Sequence, residues 1–333
     1  MTGALLILVS AQIAVRGTVA GAESHQPLSF STVALHPGFE QRFTDAGGGF
    51  VFPGVRPGNY LLSVRQIGYA PLDTQLVLSG DTTVIQVALH HLAIELPPVT
   101  IAASQCANPG SPDPSDAALR AVFGQLQENA RRLRLLSDSY PFHYTLELTD
   151  RLVNQRGDTG PPVTTHLRFS STDNRNHAYM VGRVVERAWG PWGSPDSGLV
   201  IHSAELEDLA NPDFVASHCF HLSGRDTIAG EKLIRIDFEP SKDVRSADMA
   251  GSAYLDSLTY QVRYTATALT RPDRSALRNV RAVRFWTRFH NIGPGVPLQD
   301  SLWVMTSYYF DQGARIETQR TVDVQFKRPP PSP

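Results

Sequence analysis

Apolar and polar side chains alternate along much of the chain, which is the pattern of a strand with one buried face. In one N-terminal segment, Tyr60, Leu62 and Val64 point to one face and the residues between them point to the other. Because only a short turn at Pro57-Gly58 separates this strand from the one before it, we expect the two to belong to one β-meander. The strands predicted in this part are Val15–Val19, Val33–Leu35, Phe50–Phe52, Tyr60–Val64, Gln75–Leu78 and Thr83–Leu89.

The period changes to that of a helix in one segment near the middle of the chain. Asp113 is the predicted N-cap and Pro114 the first helical residue, while Arg131, Arg132 and Arg134 lie near the predicted C-terminal end, where the helix dipole favours positive charge. The pattern predicts a helix packed on a sheet, with a groove for a cofactor or partner as the alternative. The apolar stripe consists of Leu119, Val122, Phe123, Leu126, Ala130 and Leu133.

The two-residue period returns after Phe142 and continues almost to the end of the chain. Its clearest stretch is Leu258–Ala268, in which every second residue is apolar. One face of this strand is therefore expected to be buried and the other to face solvent. Further strands are predicted at Tyr144–Leu148, Val163–Phe169, Tyr179–Glu186, Ile234–Phe238, Val280–His290, Leu302–Phe310 and Thr321–Phe326.

Turn residues between the N-terminal strands add a more specific signal. Thr44-Asp45 is followed by Gly47–Gly49, which predicts a turn where a side chain bonds its own backbone and glycines accept positive φ. With the neighbouring motifs, the segment from about Ile13 to Leu89 resembles the carboxypeptidase regulatory-like domain, a small transthyretin-like β-sandwich. The motif positions are Gly17/Val19, Val33/Leu35, Thr44/Asp45, Gly49/Phe50, Pro57/Gly58/Tyr60 and Gly68/Tyr69.

This resemblance implies a fold rather than an activity. In that family the domain is an accessory, found beside peptidases and at the start of TonB-dependent outer-membrane receptors. The C-terminal part resembles the periplasmic lipoprotein-carrier architecture in its order of elements and in the hairpin around Ala253–Tyr260. The fold expected is therefore mainly β: an N-terminal transthyretin-like β-sandwich followed by a curved antiparallel sheet that clasps one long helix. An outer-membrane barrel is the competing use of amphipathic strands, but such a barrel would have to leave out the helix and end in a Pro-rich tail instead of a membrane strand.

Length and charge agree with a globular protein of about two domains. The 333 residues carry 30 Lys and Arg against 32 Asp and Glu, a formal charge of −2 that gives no indication of nucleic-acid binding.

The apolar run Leu5–Val9 predicts a secretory signal, with a first strand as the alternative. The predicted organisation is a signal at 1–11, the sandwich at 12–90, a linker at 91–114, the helix and sheet domain at 115–327 and a disordered tail at 328–333. We expect an exported protein, periplasmic or associated with the outer membrane.

Two histidine motifs are candidates for metal chemistry. His202 and Glu205 have the His-x-x-Glu spacing of zinc carboxypeptidases, but a third ligand in a matching context is missing, and the alternative is a solvated turn before a short helix. His218-Cys219-Phe220-His221 could be a soft metal site or an ordinary strand with an oxidised cysteine. Motifs of serine hydrolases, zincins and nucleotide-binding enzymes do not occur. We therefore predict no catalytic residue, no metal and no cofactor.

Aromatic residues in two places are candidate ligand contacts. Trp189 and Trp192 lie in a Pro- and Gly-containing loop that could stack on a ligand or cover a core edge. Leu302–Phe310 is apolar on both faces, so it is either buried on both or offers one face to a ligand. The candidate contacts are Trp189, Trp192, Trp303, Met305 and Tyr309.

The only two cysteines, Cys106 and Cys219, are predicted to form a disulfide if the protein is exported, with two reduced thiols as the alternative.

The function predicted is that of a non-catalytic envelope protein that binds an apolar ligand, such as a lipid, or a protein partner. The alternatives are an interaction module of an outer-membrane receptor or transport system, and a metallocarboxypeptidase-related enzyme.

Overall fold

The computed structural model describes residues 13–79, 82–94, 106–154, 156–172, 179–189, 195–293, 295–309, 313–328 and 330, without the side chains of residues 40, 188, 189 and 195–198. The chain divides into two compact units, with the boundary between Ala93 and Ile94. The predicted signal at 1–11, most of the predicted linker and the end of the predicted tail lie outside the described residues.

The described N-terminal unit has seven strands in two sheets. One sheet has the order β4-β1-β7, with β1 and β7 parallel, and the other has the antiparallel order β3-β2-β5-β6. The strands are β1 (Ile13–Gly21), β2 (Thr32–His36), β3 (Phe39–Phe43), β4 (Gly49–Val55), β5 (Gly58–Arg65), β6 (Leu72–Leu78) and β7 (Thr82–Leu89).

The predicted meander is wrong at one point. Strands β4 and β5 follow each other in the chain but belong to different sheets. Phe52 on β4 and Leu62 on β5 are both fully buried in the same core. The two apolar faces therefore meet across a sandwich instead of extending one sheet. Alternation predicts which face of each strand is buried, but it does not say in which layer the strand lies.

Two motifs of the N-terminal unit have clear steric and hydrogen-bonding reasons. A side chain on Gly17 would place its Cβ atom 2.4 Å from the ring of Phe50 and 2.5 Å from the carbonyl oxygen of Ile85, so only glycine fits there. The Asp45 carboxylate accepts hydrogen bonds from the backbone N–H of Gly47 at 2.9 Å and of Gly49 at 2.7 Å. This confirms the predicted turn, in which a side chain bonds its own backbone.

The described C-terminal unit is built on a nine-stranded antiparallel sheet of order β12-β13-β14-β15-β16-β17-β18-β8-β9, with β10 and β11 as a separate hairpin. The mainly β fold class with one long helix is therefore confirmed. The helices are α1 (Ala117–Ser139) and α2 (Pro212–Ser217), and the strands are β8 (Phe142–Val153), β9 (Val163–Ser170), β10 (Val185–Trp189), β11 (Pro195–Ile201), β12 (His218–Ile228), β13 (Glu231–Pro240), β14 (Asp248–Asp256), β15 (Val262–Thr270), β16 (Val280–Gly293), β17 (Val296–Tyr308) and β18 (Ala314–Phe326).

Helix α1 packs its apolar stripe on one face of this sheet, called the inner face below. The rings of Phe123 on α1 and Phe220 on β12 have centroids 4.5 Å apart. The predicted N-cap is wrong by three positions, because the Asp116 carboxylate accepts the backbone N–H of Leu119 at 2.9 Å. The Asp113 carboxylate instead accepts the backbone N–H of Ser115 at 2.8 Å, which forms a turn before the helix.

Polar residues of α1 are buried against the tips of two hairpins. The Asn129 side chain donates to the carbonyl oxygen of Tyr260 at 2.9 Å and accepts the backbone N–H of Val262 at 3.0 Å. Arg132 is fully buried, bonds the Glu128 carboxylate at 3.2 Å and reaches the carbonyl oxygen of Gly295 at 3.5 Å. The predicted role of Arg132 at the end of the helix is therefore wrong, since α1 continues to Ser139 and Arg132 binds the β16–β17 turn.

Two predicted strands begin later than expected. The alternating stretch from Leu258 includes the β14–β15 turn, where Asp256 accepts the backbone N–H groups of Leu258 and Thr259 and Tyr260 has a φ of 57°. This local carboxylate bonding overrides the strand pattern, and Leu258 is 76% exposed. Likewise, the predicted strand from Tyr179 begins only with β10.

The structure joins Cys106 to Cys219 in a disulfide across a sequence separation of 113 residues. The segment around Cys106 also follows the main sheet by backbone hydrogen bonds. The N–H of Lys242 donates to the carbonyl oxygen of Cys106 at 3.2 Å, and the N–H of Gly110 donates to that of His218 at 2.9 Å. The residues that precede α1 are thus attached to the start of β12 and the end of β13.

Candidate functional site

A cavity of about 580 Å³ lies on the inner face of the nine-stranded sheet. Its floor is formed by β8, β16, β17 and β18, and α1 contributes Leu133 to its wall. The end of β11 and the segment that follows it, from Leu199 to Glu207, form the other wall. The cavity therefore lies between the sheet, the helix and the segment after β11.

Strand register explains why the floor is apolar near its middle. Phe285 on β16 lies directly opposite Val304 on β17, so both side chains project from the same face. Leu302 and Thr306, two residues on either side of Val304, also line the cavity. Toward β18 the floor becomes polar, because Val304 is paired with Glu317 and Leu302 with Gln319.

The candidate ligand contacts that the sequence suggested on β17 do not line this cavity. Trp303 and Met305 lie on the opposite face of β17, and Trp303 is paired there with Trp286. Tyr309 follows the end of β17 and is 47% exposed. The structure describes the backbone but not the side chain of Trp189, and Trp192 lies outside the described residues.

The candidate contacts on β17 were expected on the face opposite to the cavity for a simple reason. Leu302–Tyr308 is apolar on both faces, and the sequence does not say which face meets α1. The outer face is used by an aromatic cluster, in which the ring centroid of Trp286 is 5.9 Å from that of Tyr254 and 5.5 Å from that of Tyr264. The inner residues Leu302 and Val304 are the ones that line the cavity.

Charged residues of the cavity lie in two groups. On the floor, the Arg315 guanidinium bonds the Asp150 carboxylate at 2.9 Å and lies 3.8 Å from that of Glu317. In the segment after β11, Glu205 and Glu207 line the cavity on the other side. Reasoning from the sequence missed Arg315 and Glu317, because an alternating strand gives no sign that its polar residues face a cavity.

Glu205 has an unusual environment. Burial raises its pKa to about 7, and the nearby carboxylates of Asp208 and Glu207 act in the same direction. The Glu205 side chain is at the same time exposed to the solvent that the cavity admits. A partly solvated carboxyl group with a raised pKa inside a cavity is typical of functional sites.

The zinc hypothesis gains no support from this geometry. His202 and Glu205 both line the cavity, but Nε2 of His202 lies 3.6 Å from the Glu186 carboxylate. Within the described part of the chain, no group of three or more His, Cys, Asp or Glu side chains is placed to hold a metal ion.

The second histidine motif has structural contacts. His218 is fully buried and stacks on Phe214 with ring centroids 3.8 Å apart. Its two ring nitrogens face carbonyl oxygens, Nδ1 that of Phe214 at 2.8 Å and Nε2 that of Met249 at 3.0 Å. Since Cys219 is in the disulfide, neither residue is free to bind a metal.

None of the helices in the described residues has the length and hydrophobicity that crossing a bilayer would require.

Comparison with known proteins gives one specific match. Residues 14–90 match the family model of the carboxypeptidase regulatory-like domain, which confirms the resemblance of the N-terminal unit. That match covers the N-terminal part of the chain alone. No curated protein matches the sequence.

Solved structures show a distant likeness. A DUF1329 family protein from Desulfovibrio piger is 10% identical, with 63% of this chain and 93% of that chain covered and a TM-score of 0.34. A LolA superfamily protein from Nitrosomonas europaea is 9% identical, with 62% and 94% covered and a TM-score of 0.31. At these identities and TM-scores the likeness does not identify the function of this chain, which has to follow from the cavity.

Proposed function

We propose that this chain is an exported, non-catalytic protein of the bacterial envelope whose C-terminal unit binds an apolar ligand, such as a lipid or an acyl chain. The observation that carries this proposal is the cavity of about 580 Å³ on the inner face of the sheet. Its volume is in the range of small-molecule sites, and its walls combine apolar side chains with a few polar ones, as such sites do.

The energetics favour a ligand of this class. Each methylene group that leaves water for the apolar floor contributes about 0.8 kcal/mol, so about ten of them contribute about 8 kcal/mol before the cost of association. Leu302, Val304 and Phe285 supply that floor. The disulfide between Cys106 and Cys219 supports export, because such bonds persist in oxidising compartments.

A neutral fluorescent probe, N-phenyl-1-naphthylamine, tests the proposal. Its emission rises when it enters an apolar cavity, so titration of the full chain gives a dissociation constant. Val304→Trp adds bulk to the cavity floor and should weaken probe binding by about tenfold or more. Native mass spectrometry of protein extracted from cells should show a lipid that co-purifies with the wild type.

Met305→Trp is the matched control. It introduces the same side chain one residue away on the opposite face of β17, so the probe should bind as it does to the wild type. Far-UV circular dichroism checks that both variants are folded. Absence of probe binding to the wild type, or equal weakening by both variants, would overturn the proposal. Zinc-dependent peptide hydrolysis that is lost in His202→Ala would support the peptidase instead.

A second candidate function, an interaction module for a protein of the outer membrane, is favoured by one observation. β9 is an edge of the described nine-stranded sheet, and its side chains Val163 and Leu167 are 66% and 42% exposed. An exposed edge strand can pair with an extended segment of another protein. Under this alternative Leu167→Lys reduces partner capture, whereas probe binding to the cavity stays unchanged.

We further propose that the units correspond to a sandwich at 12–90 and a helix and sheet domain at 115–327, joined by a linker at 91–114. Limited proteolysis should cut first within Ala102–Ser115, since linkers between domains are cleaved more readily than folded elements. Stable fragments that begin or end elsewhere would contradict these boundaries.

A further inference from the structure

The charges around the cavity are unevenly distributed. Of the described Glu and Arg residues that line it, Glu205, Glu207 and Glu317 are acidic and Arg315 is the basic one. Arg315 is already neutralised, since its guanidinium bonds Asp150 and also lies near Glu317. The cavity therefore has an excess of negative charge, which repels an anionic head group and attracts a cationic one.

Glu205 is the acidic residue best placed to bind a cation. Its backbone N–H donates to the Asp208 carboxylate at 2.9 Å, which fixes the segment. Among the described residues its own carboxylate has no hydrogen-bond or ion-pair partner. A carboxylate that lines a cavity without such a partner is stabilised when a cation binds beside it. His202 lines the same wall, but its Nε2 faces the Glu186 carboxylate.

Apolar surface adjoins this wall. Leu206 follows Glu205 directly, and Leu133 of α1 and Leu298 of β17 also line the cavity. A ligand with its head group at Glu205 can therefore place a hydrocarbon chain against these side chains and the floor. A small hydrophilic cation would leave them in contact with water.

We infer that the cavity selects amphiphiles that join an alkyl chain to a cationic amine head group, and that Glu205 is the residue that recognises the amine. This inference rests on the proposed function, because it names the class of ligand for the same cavity.

Displacement of N-phenyl-1-naphthylamine by three ligands of equal chain length tests the inference. Dodecylamine, dodecanol and dodecanoate present a cationic, a neutral and an anionic head group, and all are used below their aggregation concentrations. Dodecylamine should displace the probe at about a fivefold lower concentration than dodecanol, as expected for one partly screened charge pair. Dodecanoate should need a higher concentration than dodecanol.

Variants assign the preference to one residue. Glu205→Gln should abolish most of the difference between dodecylamine and dodecanol, when each displacement concentration is corrected for that variant's own affinity for the probe. Glu239→Gln is the control, since it removes a carboxylate that is not part of the cavity and whose side chain is 41% exposed. Probe binding without a preference for the amine, or an equal preference in Glu205→Gln, overturns the inference alone. Absence of probe binding to the wild type overturns the proposed function itself.

The pH dependence of the preference for dodecylamine is a second readout. A purely structural role of Glu205 would not change it. Among the described residues, Asp208 and Glu207 are the charged groups near Glu205, and His202, Arg315 and Glu317 line the same cavity. Below its pKa of about 7 the Glu205 carboxyl becomes neutral, so the amine preference should fall between about pH 8.5 and about pH 5.5. Protonation of His202 acts in the same direction, and only the part of the change lost in Glu205→Gln belongs to Glu205. The inference fails if Glu205→Gln shows the wild-type pH profile.

Discussion

The two units of the chain use similar alternating strands in opposite ways. In the N-terminal unit, apolar faces of two sheets meet, and residues such as Phe52, Leu62 and Val64 are fully buried against one another. In the C-terminal unit, part of the inner face meets α1, and the part that includes Val304 lines a cavity of about 580 Å³.

The difference teaches that alternation alone does not distinguish a filled core from a binding cavity. In the sandwich, two sheets face each other, so the apolar side chains of their inner faces meet one another. In the C-terminal unit, part of the inner face of the nine-stranded sheet is not covered and remains accessible as the cavity. Changes made in one unit or in both test this difference between a filled core and a cavity.

Removal of the disulfide should have the largest effect and should be confined to the C-terminal unit. The Cys106–Cys219 bond closes a loop of 113 residues. For such a loop, chain entropy predicts a loss of about 4–5 kcal/mol in the free energy of unfolding of the double variant Cys106→Ser, Cys219→Ser.

Two spectroscopic signals separate the units in that experiment. All four tryptophans lie beyond residue 188, so their fluorescence during urea unfolding reports on the C-terminal unit, whereas far-UV circular dichroism reports on both. The fluorescence transition should move to lower urea while the remaining dichroism transition stays. An unchanged fluorescence midpoint would contradict the prediction.

Leucine truncation compares the filled core with the cavity wall. Leu62→Ala removes a fully buried side chain from the sandwich and should cost about 3 kcal/mol, because the surrounding core cannot close the space. Leu146→Ala removes a half-buried side chain from the cavity floor and should cost about 1 kcal/mol or less. The urea midpoints of the corresponding transitions measure both values. Equal costs would mean that the cavity is packed as tightly as the core.

Enlargement of a valine gives the reverse comparison. Val64→Phe adds volume to the closed sandwich core and should lower the free energy of unfolding by about 1–3 kcal/mol. Val304→Phe adds the same volume where there is space, and its effect on stability should stay near zero. Thermal unfolding of both variants tests this. A Val304→Phe variant as unstable as Val64→Phe would show that the cavity cannot accept more atoms.

The smallest expected effect concerns the ionisation of Glu205. Its pKa is raised from 4.5 to about 7, so the folded state favours the protonated form. That contribution to stability is complete below about pH 4.5 and is lost as the pH rises through about 7. Glu205→Gln should therefore be more stable than the wild type above pH 7, by less than about 1 kcal/mol because solvent screens the charge, and equally stable at acidic pH. Urea unfolding at several pH values measures the difference, and a larger gap at acidic pH would contradict it.

Part of this architecture could be predicted from the sequence because its causes are local. The Asp45 turn depends on residues within one loop, and the stripe with Phe123 and Leu126 depends on one helical period. The resemblance of the N-terminal unit likewise rests on turn residues that only a narrow range of backbone conformations can use.

The rest depends on contacts between distant residues. The sequence does not reveal that Arg132 bonds the β16–β17 turn, because its partner Gly295 lies 163 residues away. It also does not show that the inner face of β17 carries Val304 rather than Met305, since both faces are apolar. The candidate contacts Trp303 and Met305 therefore lie on the face of β17 opposite to the cavity.

The bonds between α1 and the hairpin tips have a consequence for the order of folding. The partner of Asn129 at Tyr260 lies 131 residues further along the chain, and that of Arg132 lies further still. During synthesis the helix is complete long before these partners exist, and closure of such long loops is slow. The sandwich can fold while the rest of the chain is still being made, as domains generally do. The cavity on the inner face can form only after the last strands have been synthesised, and until then the apolar stripe of the helix lacks the sheet against which it packs.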